Sequence, residues 1–474
     1  MTTPLWAGAE LVAAVGGTVR GTGPGAVSGV SIDSRSLSAG DAFFAIRGER
    51  LDGHDFVRGA LEAGAALAVV ENGRLDEFEG AGALVGVPDV LGALEDLGRG
   101  ARARTQARVI AVTGSVGKTS TKQMLELALA PSGPTHASVA SFNNHWGVPL
   151  TLARMPADSA FVVSEIGMNH AGEITPLTAM VRPHVAIITT VEPVHIEFFG
   201  SVEAIADAKA EIFEGVEPDG HAVLNADNPQ FGRLRQVALR RSLDVRSFGI
   251  GHDCDARLLT VASLPQGSIV TANILGTDIG YRVGAPGRHH VQNSLAVLLA
   301  AKLAGADLAE AAAALAGFSA QAGRGKQDVL HTPTGEAVLF DESYNANPAS
   351  MRAALALLGQ SMVSGRRIAV LGDMRELGDL SEELHRDLAP VLAEAKVDLL
   401  FAAGPHMRAL YDAVPEECRG AWAERAEDIE AAIVESIRGG DAIMIKGSLG
   451  SRMGPIVKAL TRRFAGGASN PVHA

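Results

Sequence analysis

The 474 residues carry 41 Lys plus Arg against 54 Asp plus Glu, a formal charge of −13, and 47% of them are hydrophobic. That size and apolar share allow two to four soluble domains with ample core, while the acidic balance disfavours an undirected grip on nucleic acid or anionic lipid. The two cysteines, Cys254 and Cys418, lie far apart and outside any metal-ligand spacing, which argues against a disulfide framework and against a zinc site.

The opening stretch "MTTPLWAGAELVAAVGGTVR" has no basic residue before Arg20, and no apolar run in the chain approaches the ~18 residues of a membrane helix, so no membrane insertion and a cytoplasmic location are expected. Residues up to about Pro88 predict a small α/β unit. Within it "GVSIDSRSLSAGDAFFAIRG" gives two strands around a Ser/Arg turn, and "HDFVRGALEAGAALAVVE" a helix followed by a strand. From about Asp89 a helix follows, and the arginine-dense "RGARARTQAR" (Arg99 to Arg108) reads as its solvated end.

Next comes "RVIAVTGSVGKTSTKQMLELALA", Arg108 to Ala130. A β-branched strand breaks into a glycine loop and restarts as a helix, which aims free backbone N–H groups and the positive end of the helix dipole at one point. Such a turn suits a phosphate. Gly114 and Gly117 permit positive φ and close approach, Lys118 brings a cation to the outer phosphates, and the Thr119 hydroxyl can meet Mg²⁺. Met124, Leu125, Ala128 and Leu129 make the helix's apolar stripe. The spacing is a shortened G-x-x-G-K-T, with Val112 where the usual Walker motif has its first glycine.

Apolar strands then recur between helices in "AFVVSEIG", "HVAIITTVEPVH" and "GHAVLNADNP", the pattern of a mostly parallel sheet covered on both faces. Ligands bind at the carboxyl ends of such strands. Glu165 ends one of them as a candidate Mg²⁺ ligand and His195 closes another. "SFNNHWGVPLTL" places Asn143 and Asn144 before a Gly-Val-Pro turn, where their amides either hold substrate or satisfy the turn itself. Lys209, in "EAIADAKAEIFEG", reads by its own context as a solvated helix lysine.

Antiparallel strands are expected between Cys254 and Gly287, then an alanine-rich helical pair from Gln292 to about Phe318. After that, "AVLFDESYNANP", "RRIAVLGDM", "VDLLFAAG" and "DAIMIKGS" predict a second doubly wound sheet, with Asp341, Asn345, Asn347 and Lys446 at strand ends. The expected organisation is α/β in three domains: a small α/β domain over residues 1–88, a central phosphate-loop domain with a mostly parallel sheet over 89–318, and a C-terminal Rossmann-like doubly wound domain over 319–474.

Taken together, "SFNNHWGVPLTL", "SEIGMNHAGEI", "DESYNANPASM", "VLGDMRELG" and the short phosphate loop resemble the Mur ligase family of peptidoglycan synthesis along the whole chain. The resemblance implies an ATP-dependent ligase in which residues 1–88 bind a UDP sugar. It would join D-alanyl-D-alanine to a UDP-muramoyl tripeptide through an acyl phosphate, as a monomer using small-molecule substrates and no nucleic acid. It implies that Gly114, Ser115, Val116, Gly117, Lys118, Thr119 and Ser120 hold ATP phosphates. Thr119, Glu165, His195 and Lys209 would serve two Mg²⁺ ions, Lys209 as a carbamate formed with CO₂.

Asn293 in "HHVQNSLAV" matches an adenine-contacting asparagine, and Arg324 and Asp341, with Asn345, match residues that close over ATP. Ser34 and Arg35 match the turn that meets uridine diphosphate, and Lys118, Glu165, His195 and Lys209 are the implied catalytic set. The chain departs from the family at Ser115, often asparagine there, and at Leu449, usually arginine, with Arg452 close by. A sister ligase adding the third residue would carry an Asp-Asn-Pro-Arg signature, which is absent. A folylpolyglutamate synthase shares the loop and the lysine, and a switch or motor ATPase would need no N-terminal domain.

Overall fold

The computed structural model describes residues 4–465 except Pro24, Ala140, His195 and Pro265. Among these residues three main sheets form in succession. The first orders its strands Thr18–Arg20, Leu84–Val87, Leu67–Glu71, Asp41–Phe44, Gly29–Ser31, parallel except at the Thr18–Arg20 edge. The Ser/Arg turn therefore links two adjacent parallel strands.

The central sheet begins at one edge with the antiparallel strands Thr277–Val283, Gly267–Ile274 and Ala256–Leu264. It continues with Asp244–Gly249, His221–Asn225, Val185–Ile188, Arg108–Thr113, Phe161–Glu165 and Thr135–Ala137, all parallel. Arg108–Thr113 is buried beyond its first residue, as the Val/Ile run of a strand covered on both faces requires. The helix Lys118–Leu129 packs its expected stripe, Met124, Leu125, Ala128 and Leu129, under one face of the sheet. Against it lies Arg288–Leu303, buried on nearly every side. That helix starts four residues before the expected Gln292: Gly287, at φ 116°, makes the turn, and the polar "RHH" that follows hid the first turn.

The arginine stretch also differs from expectation. Arg99 is solvated and paired with Glu95 and Asp96, but Arg102 is 6% exposed and donates to the carbonyls of Val181 and Arg182, both at 2.9 Å, and to Glu217 at 3.3 Å. Arg104 lies 3.4 Å over the Trp6 ring and donates to the Leu5 carbonyl. A long side chain on a buried helix can reach unpaired carbonyls that periodicity does not reveal. Arg104 thus links Leu5 and Trp6 to Met155, and the facing surfaces of the first and central sheets share one apolar core.

The last sheet runs Lys326–Thr332, Gly335–Glu342, Ala442–Lys446, Arg367–Gly372, Leu399–Ala403, Arg419–Ala423, with apolar cores on both faces. Its first two strands are an antiparallel hairpin and the rest are parallel. Among the described residues no helix is long and apolar enough to cross a membrane.

Candidate active site

The loop Gly114–Gly117 leaves the middle of the central sheet with Glu165 paired in register to Val112 on one side and Ile187 on the other. Gly114 has φ 147° and Gly117 φ 85°, and a Cβ on Gly117 would stand 2.6 Å from Asn293 Nδ2, so only glycine fits both backbone and neighbour. Neighbouring chain fastens the loop: Ser115 Oγ donates to the Glu192 carbonyl at 3.1 Å and accepts from the Glu192 N–H at 2.9 Å, and Thr189 Oγ1 donates to the Val116 carbonyl at 2.6 Å. Ser120 Oγ closes the first helical turn on Gly117. Lys118 folds back so that Nζ donates to the Gly114 carbonyl at 2.7 Å. Burial pushes its ammonium below the usual lysine range, with Glu165 opposing and Arg324 reinforcing the shift.

Glu165 is 1% exposed. Its Oε1 accepts from Asn143 Nδ2 at 2.7 Å and from Thr119 Oγ1 at 3.2 Å. Oε2 is buried without a hydrogen-bond partner, and Lys122 Nζ lies 4.0 Å away, too far for one. A carboxylate oxygen left open beside a threonine hydroxyl and a phosphate loop suits a hard divalent cation, and Glu165 and Thr119 could hold one together with phosphate oxygens. Among the described residues no cluster of three His, Cys, Asp or Glu side chains stands ready by itself.

Lys209 corrects the reading of a solvated helix lysine. On Val202–Ala210 it is 2% exposed, turned inward while Asp207 faces out to Arg233. No hydrogen bond or ion pair is recorded for its amine among the described residues. Burial first, then the charge of Lys118, pushes that amine well below the usual lysine range. A neutral amine is the form that can react with CO₂. His195 lies outside the described residues.

The opposite wall of the cleft comes from the helix Arg288–Leu303 and the C-terminal sheet. Ser115 to Ser120, Asn143, Glu165, Asn293, Arg324 and Asn345 all line one cleft of about 530 Å³. Arg324 Nη2 reaches across to Ser141 Oγ at 3.0 Å, and its guanidinium lies 4.0 Å over the Tyr344 ring. A smaller hollow of about 280 Å³ shares Thr190, Glu192, Asn225 and Gln292 with the cleft and adds Ile250, Leu258 and Leu295.

Four expected residues sit differently. Asp341 does not line the cleft: its Oδ2 accepts from the Gly323 N–H at 2.7 Å and its Oδ1 from Ser343, so it braces the turn that carries Arg324. Asn144 Oδ1 accepts from the N–H groups of Trp146 and Gly147 and so satisfies its own turn, unlike Asn143. Ser34 and Arg35 lie in the turn between Gly29–Ser31 and Asp41–Phe44, outside the cleft. There Arg35 forks onto Asp33 and lowers that carboxyl to about 2.

The sequence reading missed Lys122, Glu192 and Tyr344. Lys122 lies one turn beyond Thr119, a spacing that could have found it. Glu192 has its carboxyl pushed up by burial and lines both hollows, but nothing in "VEPVH" signals that.

Family models match in three consecutive pieces: "Mur ligase family, catalytic domain" over residues 26–101, "Mur ligase middle domain" over 112–301 and "Mur ligase, glutamate ligase domain" over 327–449. The UDP-N-acetylmuramoyl-tripeptide--D-alanyl-D-alanine ligase of Bacillus subtilis is 34% identical over 92% of this chain and 93% of its own length. That of Rickettsia prowazekii is 32% identical over 90% and 94%. A crystal structure of MurF from Acinetobacter baumannii superposes with TM-score 0.84 at 30% identity, covering 97% of this chain and all of the other. The chain belongs to the Mur ligase family.

Proposed function

We propose that the chain ligates D-alanyl-D-alanine to a UDP-N-acetylmuramoyl tripeptide at the expense of ATP, giving the pentapeptide, ADP and phosphate. The observation that carries this reading is the cleft itself. A phosphate loop and a buried carboxylate with one open oxygen meet the C-terminal sheet across one opening. The relatives named for this ligation are similar over nearly their whole length.

A carboxylate resists amide formation because its oxygen leaves poorly. Transfer of the γ-phosphoryl of ATP to the tripeptide's terminal carboxylate gives an acyl phosphate and ADP. The free amine of D-alanyl-D-alanine then attacks the acyl carbon, phosphate leaves, and the amine gives up a proton. The protein aligns the reactants and offsets charge, with no side-chain nucleophile. Lys118 leaves the Gly114 carbonyl for the phosphates, loop N–H groups hold them, and Asn293 meets the adenine end. Mg²⁺, held by Glu165, Thr119, His195 and carbamoylated Lys209, would supply charge neutralisation on the phosphoryl group.

Residues 1–88 take the uridine diphosphate through Ser34 and Arg35, 89–318 take ATP, and 319–474 close over it with Arg324 and Asn345, Asp341 bracing the turn that carries Arg324. We read the enzyme as a monomer, and the soluble substrates fit a cytoplasmic enzyme. The test is phosphate release from Mg·ATP with the two peptide substrates added singly and together, the product being weighed by mass spectrometry. Release that needs both, with a pentapeptide product, is expected; release indifferent to them would overturn the reading. Solution scattering should show compaction when nucleotide and muramoyl substrate bind.

A further inference from the structure

Lys122 has no part in the mechanism above, yet it is among the most deeply buried charges in the molecule. It is 2% exposed on the helix Lys118–Leu129, and it is absent from the lining of the cleft. Its ammonium donates to the Ser138 carbonyl at 2.6 Å and stands 4.0 Å from Glu165 Oε2. Ser138 in turn accepts from the Glu165 N–H through its hydroxyl at 3.3 Å. Lys122 and Ser138 thus flank the Oε2 side of the carboxylate, while Asn143 and Thr119 occupy Oε1.

The arrangement has a specific electrical consequence. A buried carboxylate without a countercharge is strongly disfavoured. Lys122 supplies that countercharge at a distance too long for a hydrogen bond, so Oε2 is compensated without being consumed. We propose that Lys122 is a positioning residue that stands in for the metal, holding the Glu165 carboxylate in place before Mg²⁺ arrives and weakening the hold on the cation once it has arrived. The inference rests on the Mg·ATP reading of the cleft. It makes Lys122 a determinant of metal affinity without contact with metal, nucleotide or peptide.

Two charge-separating variants test it. Lys122→Gln keeps a donor for the Ser138 carbonyl and removes the charge; Lys122→Arg keeps the charge. ADP affinity is measured by calorimetry with and without Mg²⁺, and thermal unfolding is followed under the same two conditions. For Lys122→Gln the expected result is a metal-free melting temperature several degrees below wild type that largely recovers with Mg·ADP. Its Mg²⁺-dependent gain in ADP affinity should be about tenfold larger than in wild type, as expected when a repelling cation is removed. Lys122→Arg should restore the wild-type pattern in both measurements.

A purely structural lysine would lower the melting temperature equally with and without Mg·ADP and leave the metal-dependent gain unchanged; that outcome overturns the proposal. The double variant Lys122→Gln/Glu165→Gln should melt above Lys122→Gln alone without metal, because the uncompensated charge is gone. A double variant that is no more stable, or that also fails to fold, overturns it as well. Wild-type protein that binds no ADP in either buffer would instead overturn the nucleotide reading.

Discussion

Glu165 and Asp341 invite comparison, because both are buried acids at the carboxyl end of a strand, 1% and 5% exposed, Glu165 in the cleft and Asp341 beneath the turn that carries Arg324. Asp341 has spent both oxygens on the protein, on the Gly323 N–H and on Ser343. Glu165 has spent one and kept the other. An acid at a strand end therefore marks the functional edge in either case, but only the count of its hydrogen bonds separates a group held for a ligand from one that braces the fold. The same contrast holds among cations: Lys209 and Lys118 are kept from carboxylate partners, whereas Arg102 is fully employed.

The sharpest way to break this contrast is Lys209→Ala. A group held without partners should contribute to chemistry and not to stability. Turnover should fall on the order of 10³-fold, as when a major electrostatic contributor to a transition state is lost. The melting temperature should hold or rise, since a desolvated amine has been removed. Activity that survives would take Lys209 out of the site.

Next comes the matched pair. Glu165→Gln should lower turnover at least about a hundredfold, because the amide is a poor cation ligand, and should lower the metal-free melting temperature by a few degrees, because it leaves buried Lys122 without its countercharge. Asp341→Asn presents an N–H₂ to donors that need an acceptor. It should cost about 1–3 kcal/mol of stability, read as a few degrees in thermal unfolding, and less than tenfold in turnover per folded molecule. If Asp341→Asn matched Glu165→Gln in lost turnover at an unchanged melting temperature, the distinction between ligand and brace would be wrong.

How far the sequence anticipates these roles varies with the kind of signal. The strand–glycine loop–helix unit, the parallel strands and the apolar stripe of Lys118–Leu129 are local patterns, and they stand where periodicity puts them. Lys209 could not be read this way: an amphipathic helix tells which face is apolar, but not that a lysine on it points inward beside Lys118. Asn143 and Asn144 are adjacent and chemically identical, and only the folded loop sends one to Glu165 and the other to its own turn. Arg102 was hidden because its partners, Val181, Arg182 and Glu217, are about 80 to 115 residues distant along the chain.

Arg102→Met extends the comparison away from the site. It would leave the Val181 and Arg182 carbonyls without this donor and Glu217 with Arg182 alone. A loss of about 2–3 kcal/mol follows from stranding buried acceptors, with turnover per folded molecule unchanged. A stability loss below the error of denaturant titration would mean that water takes over these carbonyls.

The smallest effect is expected at the opposite, amino edge of the central sheet. His184 Nδ1 accepts the Val109 N–H at 3.0 Å just before the strand that leads to the phosphate loop. Burial, and then the charges of Arg108 and Arg102, lower its pKa from 6.5 to about 4. The ring must stay neutral to accept that bond, so the folded state binds fewer protons than the unfolded one between these values. The stabilisation is complete above pH 6.5 and is lost as pH falls towards 4. Because His184 is only partly buried, the amount is about 1–2 kcal/mol. His184→Gln removes the titration, so the fall in stability of the wild type between pH 7 and pH 4.5 should be shallower in the variant by that amount. An identical fall in both would show that water, and not strand Arg108–Thr113, already meets this nitrogen in the folded protein. The amino edge would then carry no counterpart to the withheld charge at the carboxyl edge.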